Sequence, residues 1–110
     1  MANSFGILGA ALRPANLLEQ QWILVPADHE YIGTIRICEQ GGADETFRLA
    51  HTDAAGAAAG EDWDFYDHPI LANETIDVTK EMAAGETLRV QVSTVDVISF
   101  KFTGMDKDNS

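Results

Sequence analysis

Apolar and polar residues alternate with a period of two near the C-terminal end of the chain. In the segments LRVQV and ISFKF every second residue is apolar. This period is typical of a β-strand that has one face in a hydrophobic core and the other in water. We therefore predict strands at Glu86–Ser93 and Val97–Thr103, joined as a hairpin by a short turn near Thr94–Asp96.

The same pattern predicts further strands upstream. They are Trp22–Val25, Tyr31–Glu39, Thr46–Ala50, Trp63–Tyr66 and Thr75–Thr79. With these segments the chain has about seven or eight strands, and turn signals separate them roughly every ten residues. The predicted fold class is all-β, a single antiparallel β-sandwich of either the jelly-roll or the Ig-like type.

A chain of 110 residues has room for one hydrophobic core. We predict an N-terminal arm or first strand over residues 1–21, a β-sandwich domain over residues 22–104 and a polar C-terminal tail over residues 105–110. Within the arm, Ala15–Gln20 is the best candidate for a helix, but it offers only one turn of apolar surface. The Gly-punctuated segment Asp53–Gly60 predicts a mobile surface loop.

The charge of the chain excludes several classes of partner. Eighteen acidic and seven basic residues give a formal net charge of −11, which repels phosphate backbones and anionic lipid headgroups. We therefore expect no nucleic-acid and no membrane partner. The N-terminal sequence also lacks the basic residues that open a secretory signal, so we expect no export by that route. The single cysteine, Cys38, has no disulfide partner in the chain, and we expect it to be a small buried residue.

The titratable residues do not form a recognisable catalytic or metal-binding motif. His29, His51 and His68 are far apart in sequence, and none has a second His or Cys at metal-ligand spacing. We interpret them as surface or strand-edge residues. No Gly-rich loop opens a helix, so the sequence predicts no phosphate-binding cradle. We expect no catalytic residue, no cofactor and no enzymatic activity.

An acidic and aromatic segment follows the predicted loop. Asp62, Asp64 and Asp67 are weak candidates for a Ca²⁺ site, because hard cations prefer several carboxylates held close together, but the ligand order of an EF-hand is absent. We expect a solvated acidic face and no metal. Trp63 and Tyr66 are candidates for a surface that stacks on sugars, although a sandwich of this size also needs large aromatic residues in its core.

The order of several short motifs resembles a known family. The motifs are WILVPADHEYIGTIRICEQ, TFRLAHTDAAGA, DFYDHPILANETIDVT, AAGETLRVQVST and VISFKFTG. They resemble small β-sandwich proteins of tailed bacteriophage virions, which have a VPAGK strand end, a strand ending in CN, an FR-A strand, a Y-D-P-I--N-T segment, an AGD-(I/L)RV strand and an SF--FG close. The resemblance spans Trp22–Gly104. The chain departs from the pattern at Asp28-His29, where Gly-Lys is usual, and at Glu39, where Asn is usual.

The resemblance implies a virion structural protein, located on the outer capsid surface or the tail and made in the host cytoplasm. We expect a capsid decoration or cement protein that binds the major capsid protein and forms a homotrimer. A tail, neck, baseplate or fibre component is the first alternative, and a small carbohydrate-binding or Ca²⁺-binding sandwich is the second. The small and apolar N-terminal segment is the predicted contact region. Its candidate residues are Phe5, Ile7, Leu8, Leu12, Arg13 and Leu17.

Overall fold

The computed structural model describes residues 3–54 and 56–109 as an all-β protein. Its elements are eight strands and one short 3-10 turn, Gly60–Asp62. The strands are β1 (Asn3–Ile7), β2 (Gln20–Leu24), β3 (His29–Glu39), β4 (Glu45–Thr52), β5 (Trp63–Ile70), β6 (Thr75–Met82), β7 (Thr87–Val92) and β8 (Ile98–Asp108). The predicted fold class is confirmed.

The strands form two four-stranded antiparallel sheets. Sheet I has the order β1-β8-β3-β6, and sheet II has the order β2-β7-β4-β5. The first strand pairs with the last, the second with the seventh, the third with the sixth and the fourth with the fifth. This is the strand order of a long antiparallel hairpin rolled into two layers, and it decides for a jelly roll over an Ig-like sandwich.

The core lies between the two sheets and is filled by the apolar positions of the alternating segments. Ile35 and Phe102 on sheet I and Leu49 and Val90 on sheet II are completely buried. The aromatic rings of Phe47 and Phe100 meet edge to face across the core with centroids 6.2 Å apart. The inward faces predicted from the sequence are therefore confirmed.

The predicted hairpin between the last two strands is wrong. The strand β7 belongs to sheet II and β8 to sheet I, so the connection between them crosses from one sheet to the other. Within that connection Asp96 has a positive φ of 62°, and its N–H donates to the carbonyl of Pro14 at 2.9 Å. Alternation shows that each segment has one apolar face. It does not show whether two such faces lie side by side or opposite one another.

The predicted end of the last strand at Thr103 is also wrong. The strand β8 continues to Asp108, and residues 103–107 pair with β1 on one side while residues 98–108 pair with β3 on the other. Gly104 misled the prediction because glycine usually interrupts strands. Here Gly104 lies opposite Gly33, where a Cβ on Gly104 would stand 2.1 Å from the carbonyl oxygen of Ile32.

The N-terminal segment is part of the sandwich. Asn3–Ile7 forms the edge strand β1, while Met1 and Ala2 lie outside the described residues. The candidate helix Ala15–Gln20 does not form, and its last residue begins β2. The segment Asp53–Gly60 lies between strands, as predicted, with Ala55 outside the described residues.

Cys38 is half-buried and not fully buried, because it alternates with Ile37 and therefore lies on the outer side of β3.

Among residues 3–54 and 56–109, no helix has the length and apolar character needed to cross a membrane.

Candidate functional site

The outer face of sheet I carries an exposed apolar region at its β1 end. Phe5 pairs with Met105, and Met105 pairs with Ile32, so these three side chains lie in one row across the sheet. Phe5 is 81% exposed, and Ile7 beside it is 57% exposed. Large apolar side chains exposed together are typical of surfaces that bind other proteins.

The outer face of sheet I differs in charge from the rest of the molecule. Strand alternation and register place three basic and three acidic residues on it, which are Arg36, Lys101, Lys107, Glu30, Asp77 and Glu81. The face therefore has no net charge, and the formal charge of −11 belongs to the rest of the chain. An acidic protein surface can therefore approach this face without meeting the repulsion that the remaining acidic surface exerts on it.

Two basic residues lie directly opposite each other in the middle of this face. Arg36 pairs in register with Lys101, an arrangement that costs stability because the charges repel. Asp77 offsets part of this cost, because its carboxylate accepts a hydrogen bond from Arg36 Nε at 3.2 Å. With Thr34 and Thr103 these residues line a depression of about 490 Å³.

The structure divides the predicted contact residues into two groups. Phe5, Ile7 and Leu17 are exposed, and Arg13 is exposed as well. Leu8 and Leu12 are corrected, because Leu8 is only 4% exposed and Leu12 packs against the core. Both are held along β8, where the N–H groups of Leu8 and Leu12 donate to the carbonyls of Phe102 and Phe100.

Several apolar residues on the surface lie outside the predicted contact set. Leu18 is 74% exposed next to Leu17, and Leu71 is 56% exposed. Adjacent leucines outside a strand pattern were the available signal for Leu18. Met105, which is half-buried on the outer face of sheet I, was missed because residues 105–110 were predicted to be a polar tail.

The three acidic candidates do not converge. Asp62 accepts a hydrogen bond from the N–H of Ala59 at 2.7 Å, Asp64 forms an ion pair with Lys80, and Asp67 pairs with Arg48. Each carboxylate faces its own partner on a different part of the surface. Within the part of the chain that the structure describes, no three His, Cys, Asp or Glu side chains are close enough to share a metal ion.

Trp63 and Tyr66 lie on the outer side of sheet II. Their rings meet edge to face with centroids 5.5 Å apart, and Tyr66 is 58% exposed. The guanidinium carbon of Arg48 lies 3.9 Å from the centre of the Tyr66 ring, close enough for a cation–π contact. Phe65, between the two, packs against the core instead.

Arg48 is fixed by two polar partners. Its Nε and Nη2 donate to the two carboxylate oxygens of Asp67 at 2.7 and 3.1 Å, and its Nη1 donates to the side-chain oxygen of Gln91 at 3.3 Å. The hydrogen bond from Arg48 is the main cause that lowers the pKa of Asp67. A cavity of about 290 Å³ opens beside these groups. It is lined by Leu17, Thr46, Phe47, Arg48, Asp67, Gln91, Val92 and Ser93.

A second polar cluster closes one edge of the sandwich. His51 Nε2 lies 2.7 Å from a carboxylate oxygen of Glu86, Lys80 Nζ lies 3.2 Å from His51 Nδ1, and Lys80 also pairs with Asp64. Burial acts to raise the pKa of Glu86, but hydrogen bonds from Ala83 and His51 outweigh it, and the pKa is lowered. Because Lys80 belongs to sheet I and His51 and Asp64 to sheet II, this cluster ties the two sheets together.

The other two histidines, His29 and His68, each contact a neighbouring side chain. His29 Nδ1 lies 2.7 Å from a carboxylate oxygen of Asp106, and this hydrogen bond is the main cause that raises the pKa of His29. The His68 ring packs edge to face on Phe65 with centroids 4.9 Å apart. Neither arrangement places a nucleophile beside a base, which is the geometry that covalent catalysis requires.

Comparisons with known proteins returned no match. No family model, no curated protein and no solved structure matches this chain. The functional assignment therefore depends on the geometry of the chain itself and on the motif resemblance.

Proposed function

We propose that this protein is a non-enzymatic structural component of a tailed-bacteriophage virion, a capsid decoration protein that binds the outer surface of the shell and stabilises it. The order of short motifs between Trp22 and Gly104 supports the class of protein. The all-β jelly-roll topology is compatible with it, since this architecture is common among viral coat proteins.

The observation that carries the proposal is the outer face of sheet I. Its apolar end exposes Phe5 and Ile7, and the whole face has no net charge in a chain whose formal charge is −11. An acidic protein is repelled from packaged DNA, so it is better placed on the outside of a shell than inside. The neutral face is the surface with which it contacts the major capsid protein.

Cosedimentation with undecorated shells of the corresponding phage tests the proposal. Phe5→Ser removes an exposed side chain that would be buried on docking, and burial of a side chain of this size is worth about 2 kcal/mol. We expect the variant to bind at least about tenfold more weakly than the wild type. Leu18→Ser is the matched control, because Leu18 is exposed to a similar degree but lies in the connection that leads to sheet II.

Three outcomes would contradict the proposal. One is no binding of the wild type to shells, the second is equal binding of wild type and Phe5→Ser, and the third is weaker binding of Leu18→Ser only. Immuno-electron microscopy that labels tails and not shells would move the assignment to a tail, neck or fibre component.

Oligomeric state belongs to the same proposal. Most homo-oligomers have closed symmetry, and we propose a cyclic trimer. Light scattering of the purified protein should then give three times the chain mass of 12.0 kDa. A mass equal to that of one chain at every concentration would reject the trimer without affecting the shell-binding test.

A further inference from the structure

The cavity beside Arg48 lies on sheet II and is separate from the outer face of sheet I. Three different strands supply its polar groups, with Arg48 on β4, Asp67 on β5 and Gln91 on β7. Its volume of about 290 Å³ is at the lower end of ligand-binding pockets, which are roughly 300–1,000 Å³. It is therefore suited to a ligand of about one sugar ring.

The backbone is distorted where it presents the carboxylate to this cavity. Asp67 has a positive φ of 50°, and the pairing of β4 with β5 is irregular between Phe47 and Leu49. Irregular pairing of this kind turns a side chain away from its regular direction, and Asp adopts a positive φ more readily than most residues. The carboxylate of Asp67 meets Arg48 at the cavity.

The hydrogen-bonding groups around the cavity are only partly used. Among the described contacts, Arg48 uses three of its five N–H donors. Gln91 uses one side-chain N–H, which donates to the carbonyl of Leu17 at 3.0 Å. Two guanidinium donors, one amide donor and further lone pairs of Asp67 therefore remain. A sugar hydroxyl both donates and accepts, so donors and acceptors placed side by side are suited to adjacent hydroxyls.

We infer that this cavity binds a neutral saccharide. Arg48 and Asp67 neutralise each other, and the surrounding acidic protein disfavours anionic ligands. The side chain of Leu17, which lines the cavity and is 52% exposed, offers an apolar surface for the C–H face of a sugar. The site is independent of the proposed shell contact.

Titration of ¹⁵N-labelled protein tests the inference by NMR. The probes are the methyl glycosides of glucose, galactose, mannose and N-acetylglucosamine. For at least one of them we expect saturable shifts of the Arg48 Nε–H and Gln91 side-chain signals, with a dissociation constant on the order of 1 mM. The negatively charged N-acetylneuraminic acid should bind at least about tenfold more weakly.

Variants distinguish a site from a surface that contacts sugars nonspecifically. Gln91→Ala and Asp67→Asn should each weaken binding at least about tenfold. Asn tolerates the backbone conformation of Asp67, so that variant should remain folded, which its amide spectrum would verify. Arg36→Gln on sheet I is the control and should bind as the wild type does.

The inference would be overturned if none of the neutral probes shifted the cavity signals at about 50 mM, well above the expected dissociation constant. Equal binding by wild type, Gln91→Ala and Asp67→Asn would also overturn it, as would tighter binding of the acidic sugar. Because the shell-binding test depends on Phe5 and this one on Gln91 and Asp67, failure of either proposal is recognisable separately.

Discussion

Glu39 shows how one side chain organises two loops. It is 1% exposed, and its carboxylate accepts hydrogen bonds from the N–H groups of Gly41 and Gly42 at 2.8 Å and of Asn73 at 3.0 Å. The loop after β3 and the loop between β5 and β6 therefore meet at one buried anion. The hydrogen bond from Asn73 is the main cause that lowers the pKa of Glu39 below its ordinary value of 4.5, although burial acts in the opposite direction.

This arrangement predicts a pH dependence of stability. A carboxyl group whose pKa is lowered by folding stabilises the folded state fully above its unfolded pKa, here 4.5, and loses that contribution as the pH falls through the lower folded value. Glu39→Gln should lower the Tm at pH 7 by several degrees and reduce the loss of Tm between pH 7 and pH 3.

Thermal unfolding followed by circular dichroism measures both effects of Glu39→Gln. The matched control is Glu81→Gln, because Glu81 is exposed on the outer face of sheet I. Asp67 and Glu86 also have lowered pKa values, so the informative quantity is the difference between wild type and variant. If acidification lowers the Tm of the wild type and of Glu39→Gln by the same amount, ionised Glu39 does not stabilise the folded state.

The two central strands of sheet I come unusually close together at a pair of glycines. Gly33 of β3 and Gly104 of β8 lie opposite each other, and a Cβ on Gly33 would stand 2.0 Å from the carbonyl oxygen of Thr103. This close approach lets β8 continue past Gly104 and pair with β1. The strand that exposes Phe5 therefore depends on the absence of side chains at this glycine pair.

Gly104→Ala should push β3 and β8 apart at the glycine pair. The added methyl group meets backbone atoms of Ile32 and Gly33, which cannot move aside as a flexible side chain would, so we expect a loss of about 3 kcal/mol in the free energy of unfolding. Gly60→Ala is the control, because no heavy atom lies within 4 Å of its added Cβ. Chemical denaturation measures the free energy of unfolding of both variants. Equal values for the two would show that the glycine pair tolerates a side chain.

At the scale of the whole molecule, charge is distributed unevenly over an elongated shape of 44 × 27 × 20 Å. The outer face of sheet I has no net charge, so the excess acidic groups lie on the remaining surface, where they repel one another. Four of the seven basic residues already pair with carboxylates, namely Arg36, Arg48, Lys80 and Arg89. Self-repulsion of this kind destabilises the folded state.

Added salt should therefore stabilise the protein at neutral pH. Raising NaCl from about 0.01 M to about 1 M shortens the Debye length from about 30 Å to about 3 Å, so repulsion across the molecule is screened. We expect the Tm at pH 7 to rise by several degrees. Near the isoelectric point of about 4.3 the same addition should have little effect. A Tm that falls with salt at pH 7 would mean that attractive ion pairs outweigh the repulsion.

The sequence by itself determined the location of seven of the eight strands that the structure describes, all but β1, and the apolar face of each alternating segment, but not where β8 ends. Positions such as Ile35, Phe47 and Phe102 could be assigned to the core because alternation in a strand is a local property, visible over a few residues. The negative charge and the absence of a recognisable catalytic motif were also evident without coordinates.

Only the tertiary structure decided which strands are neighbours. The separation of β7 and β8 into different sheets, the burial of Leu8 and the continuation of β8 past Gly104 all depend on contacts between distant parts of the chain. The same is true of the cavity, where Arg48, Asp67 and Gln91 come from three strands. Strand pairing and the packing of one sheet on another are set by long-range contacts, which the alternation of a single strand does not contain.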